Sequence, residues 1–175
     1  MGAWGYDILS NDDAQDCVAE FGRVFEKYDP QLICTLFACN HDLGLYFNVG
    51  ELRDAPDEAI TRLATIFNEH FEEFFALTYA SNDAGAREYL PTELLVLGSI
   101  ALAIGASLPD TIRQLIINQG IDYELRLDNL RKWHDPMLRK RALTRYQRVL
   151  GRHQAAQQWF EDSRGLVEAG DDLYR

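Results

Sequence analysis

The sequence lacks an apolar run long enough to cross a membrane. Its longest such stretch, Leu94 to Ala106, has 13 residues, whereas a membrane-spanning helix needs about 20. An apolar leader is also missing, because residues 1–25 carry acidic side chains early. We therefore expect neither a signal peptide nor a membrane partner.

Cysteine is scarce, and its 3 residues, Cys17, Cys34 and Cys39, are odd in number. Such a set argues against a disulfide framework and favours a reducing compartment, so we expect a cytoplasmic protein. Cys34, Cys39 and His41 form one loose group, whereas a zinc site needs two pairs of nitrogen or sulfur ligands. We therefore expect no metal ion.

Recognisable catalytic and cofactor motifs are missing as well. The sequence has no G-x-S-x-G, no phosphate-binding glycine loop and no H-E-x-x-H. Its acidic EHFEE segment offers no Glu-x-x-His pair of the kind that binds two iron ions in helical bundles. We therefore predict a non-enzymatic protein with no catalytic residue, no cofactor and no metal ligand. An enzyme with an unrecognised site, such as His70 with Glu73, is an alternative.

Basic residues are few in the first hundred positions. Residues 1–100 contain 18 acidic and 5 basic side chains, a net charge of −13, whereas residues 101–175 contain 10 acidic and 12 basic side chains, a net charge of +2. Four carboxylates lie on the polar face of a helix predicted over 56–79. They are the candidate partner-binding residues: Glu58, Glu69, Glu72 and Glu73.

Basic side chains concentrate over 126–152, which contains 9 basic and 2 acidic residues. Arg141, Arg145, Arg148 and Arg152 recur at helical spacing, so a nucleic-acid binder that uses the basic 139–152 helix is another alternative. The overall negative charge and the lack of a stacking aromatic on that stripe disfavour nucleic acid. The simpler interpretation is a solvated helix face opposite the acidic half.

Apolar residues at helical spacing are abundant. In residues 12–28 they are Ala14, Val18, Phe21, Phe25 and Tyr28, which share one helix face. With no linker or repeat over 1–175, we predict one mainly α domain, a compact bundle of about six to seven helices. A small β-hairpin around residues 32–49 is the alternative to a helix over 30–39. Further helices are predicted over 56–79, 91–105, 109–118, 122–133, 136–150 and 154–168.

Three local features refine this prediction. The helix from Pro91 to about Gly105 is apolar all round, which indicates a central buried helix. Residues 80–88 are polar and predict a loop, and Gly120 is expected to end the helix over 109–118. On the helix over 136–150, the residues expected to face inward are Leu138, Ala142, Tyr146 and Val149.

The N-terminal segment, MGAWGYDILSNDDAQD, combines a glycine-flanked tryptophan with an acidic cluster. Ser10 and the acidic residues after it fit a helix start, where side-chain caps and the helix dipole favour them. Gly2 and Gly5 are expected to permit a tight turn that buries Trp4. We interpret the segment as a structural motif that comprises Gly2, Trp4, Gly5, Asn11, Asp12, Asp13 and Asp16.

This segment resembles the start of a bacterial family known as domain of unknown function 4259. Its members open with Met-Gly-x-Trp-Gly and continue with Asn-Asp-x-Ala-x-Asp. The segments YLPTELLVLGSIALAIG and RVLGRHQAAQQWFED look similar to later parts of the same family. The resemblance implies a compact helical domain and assigns no catalytic residue.

Small acidic bacterial proteins of this kind often neutralise a toxin or nuclease by binding it, which is an analogy of type. Our first hypothesis is therefore an immunity-type protein that binds a basic toxin, nuclease or other effector through an acidic surface. A phage or bacterial counter-defence protein that binds a nuclease is the nearest alternative. The sequence does not predict the oligomeric state.

Overall fold

The computed structural model describes residues 8–9, 12–36, 52, 55–81 and 87–152. Helices dominate this part of the chain, so the predicted mainly α bundle is confirmed. A π-helical segment, Ile116–Ile121, joins two of the helices, and strand β1 (Tyr79–Ser81) pairs antiparallel with β2 (Arg87–Tyr89). The helices are α1 (Asp12–Tyr28), α2 (Pro30–Leu36), α3 (Asp57–Glu69), α4 (Phe71–Ala76), α5 (Pro91–Ile104), α6 (Asp110–Leu115), α7 (Asp122–Glu124), α8 (Leu127–Leu130) and α9 (Pro136–Arg152).

Helix α5 is the centre of the core, as its apolar sequence predicts. Side chains all round it are buried, and α1, α3 and the π segment pack against it. Gly105 ends the helix with a φ of 67°, a backbone conformation that glycine adopts without steric penalty. The buried side chains form one continuous cluster that includes residues from Ile8 to Leu150.

Helix α1 has the predicted boundaries and buries the predicted stripe, with Tyr28 half-buried at its end. The Phe25 and Phe67 rings lie 4.6 and 4.8 Å from the Phe74 ring between centroids, so α1, α3 and α4 share an aromatic core. Asp12 and Asp13 occupy the first turn, as expected near the positive end of the helix dipole.

Much of the N-terminal motif lies outside the residues that the structure describes. Gly2, Trp4, Gly5, Ser10 and Asn11 are among those positions. The predicted side-chain cap and the predicted burial of Trp4 therefore stay predictions.

Helix α2 confirms the helical interpretation over 30–36. The Asp29 carboxylate caps it, because Oδ1 accepts the Leu32 backbone N–H at 3.0 Å. Its other oxygen accepts a hydrogen bond from Arg62 Nε at 3.2 Å and so joins this turn to α3. Residues 37–49, which complete the alternative hairpin, lie outside the described ranges.

The single helix predicted over 56–79 is wrong at two places, because the structure has an interruption at His70 and no helix after Ala76. The chain leaves helical geometry at His70, where φ is −116°, and α4 ends at Ala76. His70 stacks on Tyr28 of α1, with 3.5 Å between ring centroids, a tertiary contact that local periodicity does not reveal. Tyr79 pairs with Tyr89 across the hairpin, so the predicted loop over 80–88 is wrong where these strands form.

Gly120 does not end a helix, which corrects the prediction for 109–118. It lies buried within the π segment, where an added Cβ would be 3.2 Å from Leu95 Cδ2. This glycine therefore permits close approach to α5 rather than helix termination. The helix predicted over 122–133 is also interrupted, since α7 ends at Glu124 and α8 spans only Leu127–Leu130.

Helix α9 begins where predicted, because Asp135 Oδ1 accepts the backbone N–H groups of Met137 and Leu138 at 3.0 and 3.1 Å. Its buried residues are Arg139, Leu143, Tyr146 and Leu150. Of the four side chains predicted to face inward, only Tyr146 is fully buried, and the other three are half-buried. The helix predicted over 154–168 falls beyond the described residues.

Candidate functional site

An acidic cleft opens between the N-terminal half of α1 and the start of α5. Its volume is about 380 Å³. Four carboxylates surround it, while the buried Phe21 ring and the half-buried Leu77 side chain give it an apolar part. The residues that line this acidic cleft are Asp13, Asp16, Cys17, Glu20, Phe21, Leu77 and Glu93.

Helical geometry and one tertiary contact assemble the cleft. Asp13, Asp16 and Glu20 follow one another at spacings of three and four residues, which places them on one face of α1. Glu93 lies in the first turn of α5, where the helix dipole favours a negative charge. Packing of α1 against α5 brings the two sets together.

The Cys17 thiol lies among these carboxylates. Burial raises its pKa to about 12, and the adjacent Glu93 carboxylate, which accepts a hydrogen bond from it, adds to the increase. The charges of Asp13 and Asp16 act in the same direction. The thiol is therefore protonated at neutral pH, which makes it a poor nucleophile and a poor metal ligand.

We expect Cys17 to alkylate very slowly. At pH 8 a thiol with a pKa of about 12 holds roughly a thousandth of the thiolate of an ordinary cysteine. The measurement is the iodoacetamide labelling rate of each cysteine peptide by mass spectrometry, in a Cys39→Ser background with the exposed Cys34 as internal reference.

Glu93→Gln should accelerate the labelling of Cys17 and leave that of Cys34 unchanged, because it removes a charge beside the first thiol alone. Equal labelling rates for Cys17 and Cys34 in the Cys39→Ser background, without the Glu93 change, would contradict the placement of this thiol.

The negative charge of the cleft is not balanced by a basic side chain among the described residues that line it. Glu20 pairs with Arg23 on the next turn of α1, but none of the described residues that line the cleft is basic. The described ranges contain no group of three or more histidine, cysteine or acidic side chains that could hold a metal ion. The arrangement therefore suits a cationic group that approaches from solution.

The four predicted partner-binding carboxylates divide into two kinds. Glu58, Glu69 and Glu72 are exposed. Glu73 instead accepts hydrogen bonds from Lys27 Nζ at 2.7 Å and from the Tyr28 hydroxyl. The bond from Lys27 first, and then that from Tyr28, lower the pKa of Glu73, so this carboxylate is ionised at neutral pH.

The enzyme alternative based on His70 and Glu73 gains no support from this geometry. A general acid at neutral pH needs a raised carboxyl pKa, whereas the pKa of Glu73 is lowered. The His70 ring is stacked on Tyr28 and lies outside the acidic cleft.

The predicted arginine stripe lies on α9, with Arg141, Arg148 and Arg152 exposed and Arg145 half-buried. Arg139 is an exception that the sequence did not reveal. Its guanidinium is buried 4.0 Å from the centroid of the Trp133 ring. We call the exposed basic surface of 126–152 the basic face; it comprises Arg126, Arg131, Lys132, Lys140, Arg141, Arg148 and Arg152.

In the ranges that the structure describes, no helix has both the length and the apolar character to cross a bilayer. The resemblance to the bacterial family of domain 4259 stays a prediction. The chain matches no protein-family model, and neither a curated protein nor a solved structure matches it significantly.

Proposed function

We propose that this chain is a non-enzymatic binding protein of the immunity type, which neutralises a basic toxin or nuclease by docking it on an acidic surface. The observation that carries the proposal is the acidic cleft. Carboxylates from two helices converge there on one concave site whose described lining contains no basic residue.

The chemistry of the cleft favours a lysine or arginine side chain of a protein partner. Such a side chain has an apolar stem and a charged end. The stem would contact the half-buried Leu77 side chain, and the charge would lie among the carboxylates. Charge-assisted hydrogen bonds of this kind are stronger than those between neutral groups.

Further carboxylates lie beyond the cleft, where the exposed Arg23 and Lys27 of α1 pair with Glu20 and Glu73. Asp13, Glu20 and Lys27 recur every seven residues and therefore share one face of the helix. Lys27 pairs with Glu73 at the far end of that face, roughly 10 Å beyond Glu20 at 1.5 Å per residue. Exposed Glu69 and Glu72 adjoin Glu73 in the sequence and add negative charge.

Electrostatic attraction of this kind accelerates association and weakens in salt. The net charge of −11 acts in the same sense at longer range. The reduced Cys17 thiol suits a reducing compartment, so we place the activity in the cytoplasm.

The test uses the protein encoded by the adjacent gene as the partner. Co-expression is expected to relieve the toxicity of that protein, and Asp13→Lys/Asp16→Lys should weaken its binding at least about tenfold, or roughly 1.4 kcal/mol. Calorimetry at low and high salt measures the affinity, and growth rate measures the neutralisation.

The matched control is Asp122→Lys/Asp128→Lys, which makes the same charge change at two exposed positions outside the acidic cleft. It should retain the wild-type affinity to within about threefold. Equal loss of affinity in both double variants would show that the partner responds to net charge alone and not to the cleft. An absence of binding by the wild-type protein at low salt would also contradict the proposal.

A further inference from the structure

Exposed apolar side chains concentrate in one short segment. Across the described ranges, the large hydrophobic residues with exposed side chains are Tyr123 at 37 %, Leu127 at 60 % and Met137 at 61 %. A single exposed apolar residue is ordinary on a protein surface. They lie on α7, on α8 and in the first turn of α9, and α8 packs on both α7 and α9, which indicates a local surface rather than scatter.

The same segment overlaps the basic face. The Arg126 guanidinium lies 5.3 Å from the centroid of the Tyr123 ring, so a charge and an aromatic surface are presented together. Arg131 and Lys132 follow α8, and Lys140 and Arg141 follow Met137 on α9. Basic side chains thus lie on both sides of the exposed aliphatic groups and outnumber Asp128 and Asp135, the two acidic residues of 126–152.

The exposed apolar side chains belong to helices that pack on one another. Leu127 begins α8, whose Asn129 donates a side-chain hydrogen bond to the Tyr123 carbonyl at 2.7 Å. Met137 lies in the first turn of α9, where Asp135 accepts its backbone N–H. Helix α8 packs on α9. The exposure of both aliphatic side chains is therefore a feature of packed helices.

We propose that the basic face, with Tyr123, Leu127 and Met137, is a second binding surface that accepts an acidic amphipathic segment of a protein partner. Glutamate and aspartate of the segment would pair with the arginines. Leucine or similar residues of the segment would cover Leu127 and Met137. This surface is distinct from the acidic cleft and does not depend on it.

Charge complementarity favours a short segment over an extended polyanion. A nucleic acid or an anionic membrane would also meet the acidic half of the chain, whose residues 1–100 have a net charge of −13, and would be repelled by it. A segment of limited length contacts the basic face alone. Phosphate backbones also offer no apolar counterpart to Leu127 and Met137.

The binding probe is a fluorescein-labelled 16-residue peptide of glutamate with leucine at helical spacing, titrated with the full chain at low salt. Fluorescence anisotropy is expected to show saturable binding that weakens as salt rises. A peptide with every leucine replaced by serine should bind at least about fivefold more weakly, because the contact with the two aliphatic side chains is lost.

Two double variants test the two halves of the surface. Leu127→Ser/Met137→Ser should weaken binding of the leucine peptide and leave that of the serine peptide unchanged. Arg141→Glu/Arg148→Glu should weaken both by about tenfold. The control, Arg23→Glu/Arg62→Glu, reverses two exposed charges on α1 and α3 and should have little effect. Thermal melts establish that each variant is folded.

Three outcomes would overturn the proposal. One is an absence of peptide binding. Another is equal affinity for the leucine and serine peptides, which would indicate attraction of charge alone. The third is tighter binding of a 16-nucleotide single strand or of phosphatidylserine vesicles than of the peptide. The cleft variant Asp13→Lys/Asp16→Lys should leave peptide binding intact, so failure here is separable from failure of the immunity function.

Discussion

Replacement of Gly98 by alanine is expected to destabilise the protein by about 1–3 kcal/mol, because the added methyl group overpacks the core. Alanine is the better helix former by about 1 kcal/mol, so local propensity predicts the opposite sign. The added Cβ would overlap the hydroxyl of Tyr146 and lie 3.3 Å from Ile116 Cδ1. Urea unfolding measures the difference in the free energy of unfolding.

Tyr146 has little freedom to move away. Its hydroxyl donates a hydrogen bond to the Leu95 carbonyl at 2.9 Å, and burial raises the pKa of the phenol, which stays neutral. Tyr146→Phe alone should cost about 0.5–1.5 kcal/mol, since Ser99 Oγ still bonds to the same carbonyl at 2.8 Å.

The double variant Gly98→Ala/Tyr146→Phe is the decisive comparison. It should be less destabilised than the sum of the two single variants, because the overlapping hydroxyl is gone. The matched control is Gly151→Ala on α9, whose added Cβ meets nothing within 4 Å. That variant should be neutral or stabilised by up to about 1 kcal/mol. A similar gain in Gly98→Ala would contradict the packing of α9 on α5.

Helices whose formation and boundaries depend on nearby residues were predictable from the sequence. The stripe from Ala14 to Phe25 repeats at helical spacing, and α1 has the boundaries that this spacing predicts. Proline and aspartate predict where helices begin, and the structure agrees at Asp135, which caps the start of α9. These patterns act within one or two helical turns, so no knowledge of distant residues is needed.

Features decided by distant contacts were not predictable. His70 interrupts a helical pattern, and its ring stacks on Tyr28, 42 positions earlier in the sequence. Gly120 resembles a helix end, yet it is buried against α5 within a π turn. In both places a tertiary contact overrides the local propensity.

The candidate site shows the same division. Density of charge led to the prediction of Glu58, Glu69, Glu72 and Glu73, none of which is among the described residues that line the cleft. It did not reveal the hydrogen bonds that hold Glu73 to Lys27 and Tyr28. The spacing of Asp13, Asp16 and Glu20 places them on one helix face, but they were not among the predicted partner-binding residues. Only the packing of α1 against α5 adds Glu93 and turns that face into a cleft.

Replacement of Arg139 by methionine is expected to destabilise the protein by about 3–5 kcal/mol, the range typical when one partner of a buried ion pair is removed. The Arg139 side chain is 2 % exposed, and its terminal nitrogen lies 3.7 Å from the carboxylate of Glu124, which is 15 % exposed. Methionine fills similar space but leaves the Glu124 charge in a poorly solvated position.

Two companion variants separate charge from packing. Arg139→Lys keeps the charge but loses the planar group over Trp133, so we expect an intermediate loss of stability. Glu124→Gln/Arg139→Met removes both charges and should be less destabilised than the sum of its single variants. Urea unfolding measures the wild-type protein, Arg139→Met, Arg139→Lys, Glu124→Gln and the double variant.

The matched control is Arg148→Met, an exposed arginine on the same helix. It should change the free energy of unfolding by no more than about 0.5 kcal/mol, as surface substitutions usually do.

Arg139 of α9 contacts Glu124 of α7 and Trp133, which lies between α8 and α9, so it links these elements. Loss of this contact should therefore also weaken acidic-peptide binding by the basic face, although the buried guanidinium itself does not reach the peptide. Equal stability of Arg139→Met and Arg148→Met would show that the buried ion pair does not hold these elements together.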